Sequence, residues 1–131
     1  MGNRAVLAFG NIDDDSTLGI YLHWNGGRDS IEGFLQAARA LGVRPNDEVY
    51  AAARVCQIIG NFFGGTLSVG VSTLGRLDTD NGDNGVYEIT PDLYIGKRKF
   101  NRGEQVNPEV TAGIAAECVK RMRAIEKMAK D

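Results

Sequence analysis

Val86-Tyr87-Glu88-Ile89-Thr90-Pro91-Asp92-Leu93-Tyr94-Ile95-Gly96-Lys97-Arg98-Lys99-Phe100 reads as two strands, Val86 to Ile89 and Leu93 to Phe100, joined through Thr90-Pro91-Asp92 as a hairpin. Just upstream, Leu67, Val69 and Val71 alternate with polar or small residues, the pattern of a half-buried strand. A turn-rich loop, Leu77 to Gly85, lies between. Three strands therefore run in succession with no helix among them.

Working outward, Arg4 to Phe9 and Leu18 to His23 read as a second hairpin around the polar turn Asn11-Ile12-Asp13-Asp14-Asp15-Ser16. Trp24-Asn25-Gly26-Gly27 breaks it. A helix follows, with Asp29 and Glu32 spaced as a capping box. Its apolar face is Ile31, Phe34, Leu35, Ala38 and Leu41, and Gly42 suits the position just past its end. A second helix starts near Asn46, with Asp47 and Glu48 in its first turn and a stripe of Val49, Ala52, Ala53, Cys56, Ile59 and Phe63. Gly64-Gly65 ends it. The last helix is capped by Asn107 with Pro108 at its first position. There Val110, Ile114, Cys118, Ile125 and Ala129 can face the core, while Lys120, Arg121, Arg123, Lys127 and Lys130 stay solvated. The order β-β-α-α-β-β-β-α predicts an α+β fold: a mostly antiparallel sheet of about five strands packed with three helices. One domain spans 1–131.

The totals fit this. A chain of 131 residues can bury a core without staples, and 43% hydrophobic with 24% charged residues is ordinary globular composition. A net charge of −2 gives no global field to recruit a DNA or RNA polymer or an anionic membrane. The apolar run before Asn11 is too short for a signal peptide or a membrane span, and Val6 stands where myristoylation needs Ser or Thr. Cys56 and Cys118 lack metal-ligand spacing and read as small hydrophobes of a reducing, cytoplasmic compartment.

The chemistry concentrates at His23-Trp24-Asn25-Gly26-Gly27-Arg28-Asp29. A strand ends, two glycines free the backbone and a helix begins, whose first turn presents unpaired N–H groups to an anion. Arg28 adds a permanent forked donor and Trp24 a stacking face. The plainer reading is a strand-to-helix turn whose glycines serve geometry, with Trp24 in the core. On Lys97-Arg98-Lys99-Phe100-Asn101-Arg102, alternation puts Arg98 and Phe100 on one face, suited to phosphate plus base, with Arg102 beyond. The alternative there is a lysine-guarded edge strand. Asn61-Phe62-Phe63 sets adjacent aromatics about 100° apart at a helix end, so that one of them can cover a ligand or a subunit interface. The alternative is a core wrapped on two sides.

Other clusters carry less. His23 is alone and reads as a hydrogen-bonded structural residue. Asp78-Thr79-Asp80-Asn81-Gly82-Asp83-Asn84-Gly85 fails the calcium-loop pattern at Gly82 and Ile89 and reads as a mobile surface loop. Asp13-Asp14-Asp15 reads as a surface turn, with weak metal binding by paired carboxylates as the alternative. Neither a nucleophile with its base nor a metal cluster is evident, so no catalytic residue, metal ligand or cofactor is expected.

Met1-Gly2-Asn3-Arg4-Ala5-Val6, the block Tyr21 to Ser30 and the block Gln57 to Leu67 together resemble the first class of Thoeris anti-defence proteins, small phage-encoded sponges. The resemblance covers roughly the first half of the chain, and the loop Asp78 to Gly85 departs from it. It implies a protein of the host cytosol that sequesters cyclic ADP-ribose-type signals of bacterial TIR-domain enzymes without degrading them. It also implies a homo-oligomer, dimer or hexamer, with ligands between subunits, and a second site for cyclic oligonucleotides in some members. The positions here that suit the pyrophosphate and adenine of such a signal are the turn Gly26-Gly27-Arg28, Arg28 first, and the Arg98/Phe100 face; with Trp24, Asn25, Asn61, Phe62 and Arg102 from the reading of the residues they make up the candidate ligand contacts. The competing expectation is a phage protein that blocks a host defence protein by direct contact, in the manner of an anti-CRISPR.

Overall fold

The computed structural model describes residues 2–65 and 68–130. Five strands, β1 (Ala5–Ala8), β2 (Leu18–Leu22), β3 (Val69–Thr73), β4 (Val86–Ile89) and β5 (Ile95–Lys99), form one sheet in the order β3-β2-β1-β4-β5. Three of the four pairings are antiparallel, and β1 and β4 run parallel. Helices α1 (Arg28–Ala40), α2 (Glu48–Phe63) and α3 (Pro108–Lys130) complete the α+β fold. Leu67, read as the start of the third strand, lies outside the described residues, as does the side chain of Lys130.

Alternation sorts the central strands between two cores. Ala5, Leu7, Ile20, Leu22, Tyr87 and Ile89 face the helices. Val6, Ala8 and Val86 face the other way, where Ile12, Leu74 and Leu77 cover them. Both faces of β1 are therefore buried, which explains why Ala5-Val6-Leu7-Ala8 is apolar without a break.

Helix α1 buries Ile31, Phe34, Leu35 and Ala38 as its spacing predicts, and Gly42 follows its end at φ 78°. Its start differs from a capping box: Gly27 is the N-cap, and the Asp29 carboxylate accepts from the Ser30 N–H at 2.7 Å. At Gly33 the helix meets α3 so closely that a β-carbon would sit 2.9 Å from Ile114. Asp47 caps α2 through the Tyr50 N–H, but the buried face of α2 is Ala51, Ala52, Val55, Ile58 and Ile59. Val49 is 75% exposed and Ala53 is exposed. The helix is apolar almost all round, so two stripes fit its sequence, and the sheet selects the one holding Val55.

Asn107 caps α3 by accepting from the Glu109 and Val110 N–H groups at 3.0 and 3.4 Å. Ile114 and Cys118 are buried, whereas Val110, Ile125 and Ala129 are exposed because both ends of α3 extend past the core. Burial pushes the Cys118 thiol up to about 11 and raises half-buried Cys56 as well. No helix among the described residues is long and apolar enough to cross a membrane.

The loop between Leu77 and Gly85 is a packed tether rather than a solvated excursion. Asn81 and Asn84 are buried. The Asn81 side chain accepts from the Asp83 and Gly85 N–H groups at 3.1 and 3.0 Å, and Asn84 donates to Asn3 and to the Arg4 carbonyl. Arg4 pairs with Asp83 at 2.8 Å. The same residues that favour turns also satisfy buried backbone, which is why composition alone misreads them.

Candidate functional site

After β2 the chain passes through Asn25 at φ 57° and turns into α1. Gly26 is dictated by a close approach: a β-carbon there would lie 2.4 Å from the Asn3 carbonyl oxygen and 2.8 Å from the Ala5 side chain. The Gly26 carbonyl accepts from the Tyr87 hydroxyl at 2.6 Å. At Gly27 a β-carbon would strike the Gln105 side chain. Gly26 thus serves the fold, as the plainer reading has it, whereas at Gly27 the obstacle is only the far end of the Gln105 side chain. Trp24, however, is 42% exposed rather than in the core. Its ring packs edge-on against His23, whose Nδ1 is 2.9 Å from the Tyr21 hydroxyl.

Arg28 opens α1, and its guanidinium reaches Glu32 at 3.0 Å and Glu104 at 3.4 Å. Desolvation works against its charge, but the hydrogen bond to Glu32 and the field of Glu104 outweigh it and raise the Arg28 pKa. Arg98 approaches the same carboxylate from β5. One of its terminal nitrogens bonds Glu104, the other donates to the Asn84 carbonyl at 2.6 Å, and its Nε donates to the Val86 carbonyl at 3.2 Å. Its guanidinium centres 3.6 Å from the centroid of the Tyr87 ring. Two of the residues singled out in sequence therefore converge on one carboxylate, although 70 positions separate them.

Alternation fails at Phe100. This residue takes φ 60° beyond the end of β5, so its ring lies 5.3 Å from Lys99 Nζ and does not share a face with Arg98. The backbone there is bent where Gly85 presses on it, a β-carbon at Gly85 being 2.1 Å from the Lys99 carbonyl oxygen. The ring that Arg98 does meet is Tyr87. Arg102 is largely exposed and reaches Asp80 at 3.9 Å. Asn61 and Phe62 belong to another neighbourhood. Phe62 and Phe63 both pack edge-on against Phe34, and Arg121 donates to the Asn61 and Phe62 carbonyls.

The residues that sequence reasoning missed are Glu104, Gln105 and Tyr87. Segment 101–107 crosses the start of α1 as a strap, where Gln105 O accepts from the Asp29 N–H at 2.8 Å. Its side chain accepts from Asn3 at 3.1 Å. Arg28 borders a hollow of about 310 Å³ that also includes Gln36, Arg39 and Tyr94. Glu104 borders a second hollow, of about 300 Å³, with Asn3, Asp83 and Arg102. Nothing in the residue pattern of 101–107 signals such a role; only the pairing of β5 with β4 brings it there. Among the described residues, no group of three or more His, Cys, Asp or Glu could hold a metal ion.

No family model, curated protein or solved structure matches this chain.

Proposed function

We propose that the protein binds and sequesters a phosphate-bearing cyclic nucleotide signal, a cyclic ADP-ribose isomer or a cyclic oligonucleotide, without degrading it, and so counters a host immune response. One observation carries this reading: Arg28 and Arg98 turn their guanidiniums toward the same point, where Glu104 holds a negative charge between them. Forked guanidiniums are the preferred partners of carboxylate and phosphate oxygens. The Arg98 fork is held in place by two backbone carbonyls and by the Tyr87 ring, and so loses little freedom on meeting an anion. Exposed Trp24 is available to a base in the same part of the chain. Assembly as a dimer or hexamer in the host cytosol belongs to the same proposal, with Trp24, Tyr94 and Phe100 as the aromatic surface left to cover.

Purified protein titrated by calorimetry with a cyclic ADP-ribose isomer tests this directly. Saturable binding is expected, with the ligand recovered intact after denaturation. Recovery of an opened or hydrolysed product would refute sequestration.

A second reading, a blocker that contacts a host defence protein directly, is favoured by a different observation. Val49 and Val71 are exposed beside an apolar hollow between α2 and the strands β2 and β3. Mixing the protein with nucleotide-free effector and finding inhibition would select it.

A further inference from the structure

We propose that the strap 101–107 is an internal competitor for this site, its Glu104 carboxylate and Gln105 carbonyl standing where phosphate oxygens of a pyrophosphate-bearing ligand go. The proposal rests on the nucleotide-binding reading above and names what such a ligand must displace.

Three features of the strap support it. First, its contacts at this site are those of an anion. The Glu104 carboxylate bridges Arg28 and Arg98, and Gln105 O accepts from the Asp29 N–H in the first turn of α1. A phosphate group offers oxygens to the same forks and to the same helix start. Second, the strap is held by polar contacts alone. Every residue from Asn101 to Asn107 is exposed, and Val106, its one aliphatic side chain, is 69% exposed. Contacts of this kind are individually weak in water, so the strap can leave with the core unchanged as long as Asn107, the cap of α3, stays in place. Third, its departure makes room. The hollow of about 300 Å³ that Glu104 borders is walled on one side by Arg102, Gly103, Glu104 and Gln105 of the strap itself, and Arg28 borders another of about 310 Å³. Each is at the lower end of the range for small-molecule sites, about 300–1,000 Å³, and with the strap gone the first loses that wall and opens to a larger ligand.

The strap therefore sets a threshold. Glu104 keeps the two guanidiniums paired when no ligand is present, and a ligand binds only if its phosphates outbid one carboxylate. Weak monoanions do not, whereas a pyrophosphate, with two phosphoryl groups, does.

Calorimetry with inorganic pyrophosphate, comparing the wild type with Glu104→Gln, tests this. The variant keeps the size of the side chain and removes its charge, so affinity for pyrophosphate is expected to rise about tenfold or more. Equal or weaker binding by Glu104→Gln overturns the proposal. A second measurement needs no variant. Trypsin cleavage after Arg102 is followed by mass spectrometry with and without a saturating cyclic ADP-ribose isomer. Faster cleavage at that bond is expected, because the released strap becomes a better substrate, and an unchanged rate overturns the proposal. If the wild type binds the cyclic nucleotide but either of these results is negative, the strap idea falls and the nucleotide reading stands. If neither protein binds either probe, both fall.

Discussion

The Arg98 guanidinium lies 3.6 Å from the ring centroid of Tyr87, over a side chain that is itself wholly buried. This contact joins the surface charge to the core. The Tyr87 ring packs among the helices, its face carries the arginine, and its hydroxyl donates to the Gly26 carbonyl at 2.6 Å. Burial pushes the Tyr87 pKa well up, against the opposing field of Arg98, so the hydroxyl keeps its proton and remains a donor.

Tyr87→Phe isolates that hydroxyl. The ring stays under Arg98, and the buried Gly26 carbonyl loses its donor. An orphaned buried acceptor costs about 1–3 kcal/mol. The urea midpoint, followed by Trp24 fluorescence, is expected to fall accordingly with an unchanged slope. An unchanged midpoint would show that water replaces the phenol.

Gly26 and Gly60 differ in what a methyl group would meet. Gly26→Ala places a carbon 2.4 Å from the Asn3 carbonyl oxygen, where backbone must move, and is expected to destabilise the fold severely. Gly60 lies inside α2 with nothing within 4 Å. There alanine is expected to stabilise by about 0.5–1 kcal/mol through helix propensity. Thermal melts of the two variants should therefore move in opposite directions.

Arg4 and Asp83 link the start of β1 to the loop before β4. The hydrogen bond from Arg4 holds the Asp83 carboxyl below its ordinary value. A depressed folded pKa contributes stability that is fully present above the unfolded value, about 3.9, and is lost as pH falls through the folded one. The gap in melting temperature between wild type and Asp83→Asn is therefore expected to hold steady near neutrality and to shrink as pH drops below about 4. A gap that widens in acid would contradict the assignment.

The two cysteines give a readout of local opening. At pH 8 both thiols are protonated more than a free cysteine would be, Cys118 the more strongly, at about 11. Alkylation of half-buried Cys56 is expected to run ahead of global unfolding, and alkylation of Cys118 to track it. Equal rates at the two positions would mean that α3 detaches readily from the body.

Much of the architecture is legible in the sequence because local signals agree there. Asn107-Pro108 and Gly42 mark helix ends, and the hairpin turn at Thr90-Pro91-Asp92 sets two strands side by side. Two things escape it. The parallel pairing of β1 with β4 is a long-range match of two apolar strands that periodicity cannot register. The site is legible only in halves. Arg28 and Arg98 stand out as forked charges, but Glu104, which unites them, lies in a segment with no periodic pattern. Phe100 misleads because strand alternation stops at Lys99 and the backbone turns left-handed at Phe100 itself.

Arg28 is the sharpest test of the site. Arg28→Ala removes a guanidinium that pairs with Glu32 and Glu104 and has a side chain about one-third exposed. Surface pairs of this kind contribute roughly 0–1 kcal/mol, so the fold is expected to survive with little change in its melting temperature. Ligand affinity responds differently. A charge-assisted hydrogen bond to phosphate contributes about 1.5–3 kcal/mol, and its loss is expected to weaken a cyclic ADP-ribose isomer by about one to two orders of magnitude. Part of that loss is offset, because the ligand no longer has to separate Arg28 from Glu104. The lower end of the range is therefore the expected result, and Arg28→Ala combined with Glu104→Gln is expected to bind at least as tightly as Arg28→Ala alone, because Arg98 is then released from Glu104. Arg28→Lys keeps the charge without the fork and is expected to recover only a fraction. Calorimetric titration of the four proteins in parallel checks the ordering. Identical affinity in wild type and Arg28→Ala, with binding demonstrated in both, would leave Arg28 as a partner of Glu32 and nothing more.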